Sequence, residues 1–170
     1  MTIYFADGSN QATAAIGQIH QVVSGTKTSD ASYSTSTSFV DIGLSVTITP
    51  MASVHKVLIL WNIGKIATSD WSGATRLMRG STAISIGDGG GYRPRITSSF
   101  ARAHDNNHWG STSGVWLDSP SAGGQATTYK LQVRGHSNST VYVNRGHGDA
   151  STNDVYTGHS ASSIIAMEVD

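Results

Sequence analysis

The sequence predicts an all-β domain: an antiparallel β-sandwich, jelly-roll-like, over residues 17–170, behind a short N-terminal arm at 1–16. Three observations predict it. Forty-three of the 170 residues are Ser or Thr, while Glu occurs once, at Glu168, and Lys only four times. Straight-chain Glu and Lys build solvated helix faces, whereas Thr, Val, Ile and Tyr suit a half-buried pleated surface. Nineteen glycines supply turns. The apolar residues come in short runs or strict alternation bounded by turn signals.

Residues 1–16 hold few core residues and read as an arm, in which Ile3, Tyr4 and Phe5 offer three adjacent apolar side chains to a partner. Residues 18–24 read as the first strand, 27–38 as a Ser/Thr-rich connection and 39–42 as another short strand. In 44–50, Leu44, Val46 and Ile48 face one side and Ser45, Thr47 and Thr49 the other, and Pro50 closes the strand. Residues 56–63, KVLILWNI, are continuously apolar and read as a central strand covered on both faces. Residues 75–79 and 84–86 flank Gly80-Ser81-Thr82 as a hairpin. Residues 101–113 are polar and read as a long loop, after which 115–118 form a strand stopped by Pro120. In 128–134, Tyr129, Leu131 and Val133 point inward and Lys130, Gln132 and Arg134 outward. Strands at 141–144 and 164–169 complete a set of roughly nine or ten. A strand at the end of the chain has to be paired inside a sheet, and Ile165, Met167 and Val169 are expected in the core.

The length fits one domain. Eleven basic residues balance eleven acidic ones, and 13% of residues are charged, about half the usual share. No basic stripe marks a nucleic-acid binder. No apolar run approaches the ~20 residues of a bilayer-spanning helix. The N-terminus lacks a basic segment followed by an apolar run, so no signal peptide is read. There is no cysteine, which excludes disulfides, thiolate metal sites and a thiol nucleophile.

Several constellations carry candidate chemistry. His104 and His108 lie four apart, as on one helix face, but the intervening Asp-Asn-Asn reads as a loop and no glutamate stands between them. No metal is expected there, and no cofactor elsewhere. His147-Gly148-Asp149 could pair a base with its orienting carboxylate, yet no serine sits in a Gly-x-Ser-x-Gly elbow. Asp88, Asp105 and Asp149 could supply a carboxylate pair, although Asp is common in turns for backbone reasons. Asp88-Gly89-Gly90-Gly91 is followed by Tyr92-Arg93-Pro94 rather than Gly-Lys-Ser/Thr, so it is no phosphate loop. No catalytic residue emerges, and a non-enzymatic role is expected. Of the four tryptophans, Trp61 and Trp116 fall in strands and belong to the core or an interface. Trp71, Tyr92 and Trp109 fall in loops. They could stack on sugar rings or fill a partner's pocket, or they could pack beneath their own loops or between subunits.

Between residues 17 and 169 the chain resembles small β-rich structural and tail-fibre proteins of tailed bacteriophages. The matching pieces are TSTSFVDIGLSVTITP at 35–50, LMRGSTAISIGD at 77–88, LDSP at 117–120, TYKLQVR at 128–134 with VYVN at 141–144, and IIAME at 164–168. The resemblance implies a virion component on the outside of the particle, often trimeric, made in the host cytoplasm. It implies no catalytic residue. Fibre proteins of this kind carry a long shaft and a large docking domain, whereas only residues 1–16 precede this β-domain. The expectation is therefore a capsid decoration (cement) protein that contacts the major capsid protein. The alternative is a short tail-fibre or receptor-binding module whose loops contact a host glycan. Sparse charge leaves hydroxyl-rich faces that subunits can bury without stranding ions.

Overall fold

Alternation dominates the chain, and its strands follow it. The computed structural model describes residues 3–4, 10–11, 18–35, 37–101, 109–120, 122–148, 154–155 and 157–170, the first two pairs by backbone alone. Among the described residues there is no helix. The strands are β1 (Ile3–Tyr4), β2 (Asn10–Gln11), β3 (Ile19–Lys27), β4 (Ala31–Ser34), β5 (Val40–Ile48), β6 (Lys56–Thr68), β7 (Ser72–Arg79), β8 (Thr82–Ile84), β9 (Ser98–Ala101), β10 (Gly110–Asp118), β11 (Thr127–Gly135), β12 (Thr140–Val143) and β13 (Ser162–Val169).

The eight strands that define the topology pair from the outside in. β3 pairs with β13, β5 with β11, β6 with β10 and β7 with β9, all antiparallel. First meets last, second meets second-last, and so on: one long antiparallel ribbon wrapped around a core. This is the jelly-roll winding, with successive pairs landing in alternate sheets. Sheet I runs β3-β13-β6-β10, with β12 and β4 extending beside the far end of β6. Sheet II runs β5-β11-β7, with β8 and β9 on the free edge of β7. Separately, β1 and β2 pair antiparallel with each other.

The core lies between the sheets. Sheet II contributes Leu44, Val46, Ile48, Leu77, Tyr129, Leu131 and Val133; sheet I contributes Val57, Ile59, Trp61, Ile63, Val141, Ile164 and Ala166. Two glycines permit close approach. A Cβ on Gly25 would collide with the Ser45 carbonyl where β3 crosses β5, and one on Gly114 would lie 2.7 Å from the Trp61 indole.

Three polar clusters reinforce the sandwich, the first of them between its two layers. Arg79 Nη1 donates to both carboxylate oxygens of Asp118 at 3.0 Å, and the Tyr129 hydroxyl donates to Asp118 Oδ2 at 2.7 Å, joining sheet II to the end of β10. Burial, and then the hydrogen bond to Asp118, push the Tyr129 phenol far above its ordinary pKa. Asn144, wholly buried with φ +63°, donates from Nδ2 to the carbonyls of Lys27 (2.8 Å) and Ser29 (3.0 Å) and accepts from Ser162 Oγ (2.6 Å). Asn tolerates this left-handed conformation better than most residues. The third cluster surrounds Glu168.

The all-β sandwich is as the sequence predicts, including the inward Leu44, Val46 and Ile48 and the inward Tyr129, Leu131 and Val133. The placement of the last strand is corrected. Ile164, Ala166 and Glu168 face the core, while Ile165, Met167 and Val169 face outward, half-buried. The segment IIAMEV has apolar residues on both faces, so burying the lone Glu looked like the wrong register. It is the right one because Glu168 finds three donors: Gln21 Nε2 at 2.5 Å, the Met51 amide at 2.7 Å and His55 Nδ1 at 2.6 Å. Residues 56–63 are central but not covered on both faces, since Leu58 and Leu60 are only half-buried on the outer side. Residues 101–113 are not all loop: Ala101 ends β9 and polar Gly110-Ser111-Thr112-Ser113 belongs to β10, while 102–108 lie outside the described residues. Polar β4 and β9 carry too few apolar residues to signal themselves.

Candidate docking face and ligand cleft

The two outer faces of the sandwich differ in chemistry. On sheet I the pairing sets outward residues side by side across four strands. Val115, Leu60, Ile165 and Ser24 form one row, and Leu117, Leu58, Met167 and Val22 the next. Ser113, Asn62, Ser163 and Thr26 continue the face above them, and Ile19, Val169 and the exposed Lys56 lie below. These twelve side chains of the three rows carry no charge. Val22, Val115 and Leu117 are exposed, Val115 at 64%. Leu60, Asn62, Val115, Ser163 and Ile165 help line a shallow groove of 420 Å³.

This face ends at β10, which among the described residues pairs with β6 alone; its link to β9 of sheet II is a side-chain hydrogen bond between Ser98 Oγ and Thr112 Oγ1 at 2.6 Å. Beyond that point Gly114-Val115-Trp116-Leu117 runs as an edge strand. An apolar edge without charge or proline is a template for pairing with another chain, and monomeric proteins normally blunt it.

Sheet II presents the opposite character. Lys130, Gln132 and Arg134 point outward from β11, as its alternation predicts, and Arg76 from β7 lies opposite Gln132. Asp41 accepts from Lys130 Nζ and Gln132 Nε2, both at 2.7 Å. Burial would raise the Asp41 carboxyl, but these bonds and the Lys130 charge outweigh it and hold the pKa below its ordinary value. The Arg76 guanidinium lies 3.8 Å over the Phe39 ring. Beside it opens a cleft of 180 Å³, lined by Phe39, Pro94, Ile96, Arg134 and His136 over a floor of small residues including Gly73 and Ala74.

The loop aromatics do not pack beneath their own loops. Trp71 is 75% exposed, Tyr92 fully exposed and Trp109 47% exposed. Trp71 directly precedes Ser72, and Tyr92 lies two residues before Pro94, both of which line the cleft. The structure therefore brings the loops of two of the three to one cleft. Trp109 lies elsewhere, with the Lys65 ammonium 4.7 Å from its ring centre. Trp61 is in the core, whereas Trp116 is partly exposed on the β10 edge. In the arm, Ile3 and Tyr4 form β1; Phe5 lies outside the described residues, as do His104, Asp105, His108 and Asp149. Among the described residues no group of three or more His, Asp or Glu could hold a metal ion. No described helix is long and apolar enough to cross a membrane.

Sequence reasoning did not single out Phe39, Arg76, Arg134 or His136 as a set. They come from four separate segments, and the signal that could have linked them was the outward Lys130-Gln132-Arg134 series on β11. The apolar outer face is hidden in the sequence because a continuous apolar run such as KVLILWNI does not distinguish a covered outer face from an open one. No protein-family model matches this chain, and no curated protein is detectably similar to it in sequence.

Proposed function

We propose that this protein is a non-enzymatic structural component of the surface of a tailed-phage virion. In this reading it is a capsid decoration protein that self-associates as a trimer and docks on the major capsid protein. The observation that carries the reading is the contrast between the outer faces. One is apolar at its centre, uncharged across three rows with Lys56 at one border, and ends in an edge strand; the other is polar and charged. A chain with one such face has a docking side and a solvent side. Jelly rolls also build many capsid and lectin domains, a fold-level analogy that adds only to the plausibility of the class.

Val115→Lys with Leu117→Lys tests the docking face. Both side chains are solvent-accessible, so the double variant keeps its fold by circular dichroism. It should lose its oligomer mass in light scattering and its retention on purified virions. Full retention and unchanged mass refute the docking face. Antibody labelling confined to the tail would replace decoration with the tail-fibre alternative.

A further inference from the structure

The cleft on sheet II gathers positive charge without a carboxylate to receive it. Arg134 lines the cleft and has no hydrogen-bond or ion-pair partner among the described residues. Arg134 pairs across the strands with Ala74, and Arg76 with Gln132, so the two arginines are diagonal neighbours. Arg76 donates to the Arg95 carbonyl at 2.9 Å, and Arg95 Nε donates to the Gly87 carbonyl at 2.8 Å. Arg76 Nε is buried without a partner. Burial and the nearby charges of Arg134 and Arg95 lower the Arg76 pKa from its ordinary value. The neighbouring carboxylates have other partners: Asp41 is held by Lys130 and Gln132, and Asp70, at the cleft's border, by the Trp71 amide at 2.8 Å and the lining residue His136 at 3.4 Å. Three clustered guanidinium groups repel one another, and a bound anion relieves the repulsion.

The remainder of the lining narrows the ligand. Phe39, Pro94 and Ile96 give apolar surface, and Ser72 and Ser99 give hydroxyls. At 180 Å³ the cleft is smaller than the ~300 Å³ at which pockets for drug-sized molecules begin, so it takes a single ring. We propose that this cleft binds a sugar ring bearing a carboxylate. Arg134 takes the carboxylate, for which guanidinium geometry is suited. The C–H face of the ring lies on the apolar lining, and further units of the saccharide reach the exposed Trp71 and Tyr92. A bare phosphate would leave the apolar lining unused. This assignment is independent of how sheet I docks.

The test is calorimetric titration of the full chain with oligogalacturonate, with the same oligomer methyl-esterified, and with polyglutamate. The acid should bind, and esterification should weaken binding about ten-fold or more, as loss of a charged hydrogen-bonded pair does. Arg134→Gln should weaken it to a similar degree, and added salt should weaken it further. Ala74→Leu fills the floor while leaving every charge in place, and should give the same loss. Arg93→Gln, outside the lining, should change nothing. No binding of the acid, equal binding of its ester, or unchanged binding by Arg134→Gln overturns the proposal. Polyglutamate binding as tightly as oligogalacturonate also overturns it, because the site would then read charge alone. If Arg134→Gln fails to fold in a thermal melt, Ala74→Leu decides the matter.

Discussion

Replacing the only glutamate should destabilise the fold more than any surface change, and in a pH-dependent way. Glu168 is wholly buried near the end of β13 and receives hydrogen bonds from Gln21 on β3, from the Met51 amide and from His55. Gln21 Nε2 also donates to the Thr49 carbonyl at 2.7 Å, so the carboxylate anchors the turn between β5 and β6 to β3 and β13 at that end of sheet I. Glu168→Ala leaves three donors short of an acceptor, each costing about 1–3 kcal/mol, and removes one partner of a buried pair, which costs about 3–5 kcal/mol. These are two descriptions of one loss and are not summed. The expected cost is about 3–5 kcal/mol, a large part of the ~5–15 kcal/mol net stability of a domain. Glu168→Gln keeps the shape and one acceptor and should cost less, about 2 kcal/mol.

The sign of the pH dependence follows from the carboxyl's environment. Burial alone would raise its pKa, but the bonds from Gln21, His55 and the Met51 amide, with the His55 charge, bring it below the ordinary 4.5. A depressed folded-state pKa gives stability that is fully present above the unfolded value and is lost as pH falls through the folded one. The assay is urea unfolding of wild type and Glu168→Gln from neutral pH down to acid. The gap between them should be widest near neutrality and should shrink as the pH falls below about 4.5. Taking the difference cancels the other carboxylates. A gap that stays constant, or widens on acidification, would refute the reasoning.

Other consequences follow from the remaining buried clusters. Asn144→Ala should cost about 3 kcal/mol in urea unfolding, because three buried hydrogen bonds vanish and the left-handed φ loses a residue that tolerates it. Tyr129→Phe removes one donor from Asp118 while Arg79 remains, so about 1–2 kcal/mol is expected, and a value near zero would mean that solvent reaches Asp118. Deleting 162–170 removes the strand between β3 and β6; soluble, cooperative unfolding of the shortened chain would contradict the topology.

The fold was legible wherever one face is apolar and the other polar, as in 44–50 and 128–134. It was illegible where polarity carried no alternation. Gly110-Ser111-Thr112-Ser113 has no apolar member, yet it is held because β6 offers a free edge beside it. Glu168 shows a second limit: its donors lie 113 to 147 residues away in sequence, so no local pattern could reveal that the charge is compensated. The cleft shares this limit, since Phe39, Arg76 and Arg134 meet only through the pairing of β11 with β7 and β5. The exposed loop aromatics were recognisable as candidates, but their distribution over different surfaces was not.

The central claim is that this chain is held on a virion shell through the outer face of sheet I. An electron-microscopy map of purified virions carrying it tests that claim directly. The account predicts density for the sandwich on the shell at regular lattice positions, with Val115, Leu60, Ile165 and Met167 turned toward the capsid surface and the sheet II cleft turned to solvent. Sandwich density on the tail alone, none on the particle, or a shell-bound copy with the sheet II cleft against the capsid would contradict it.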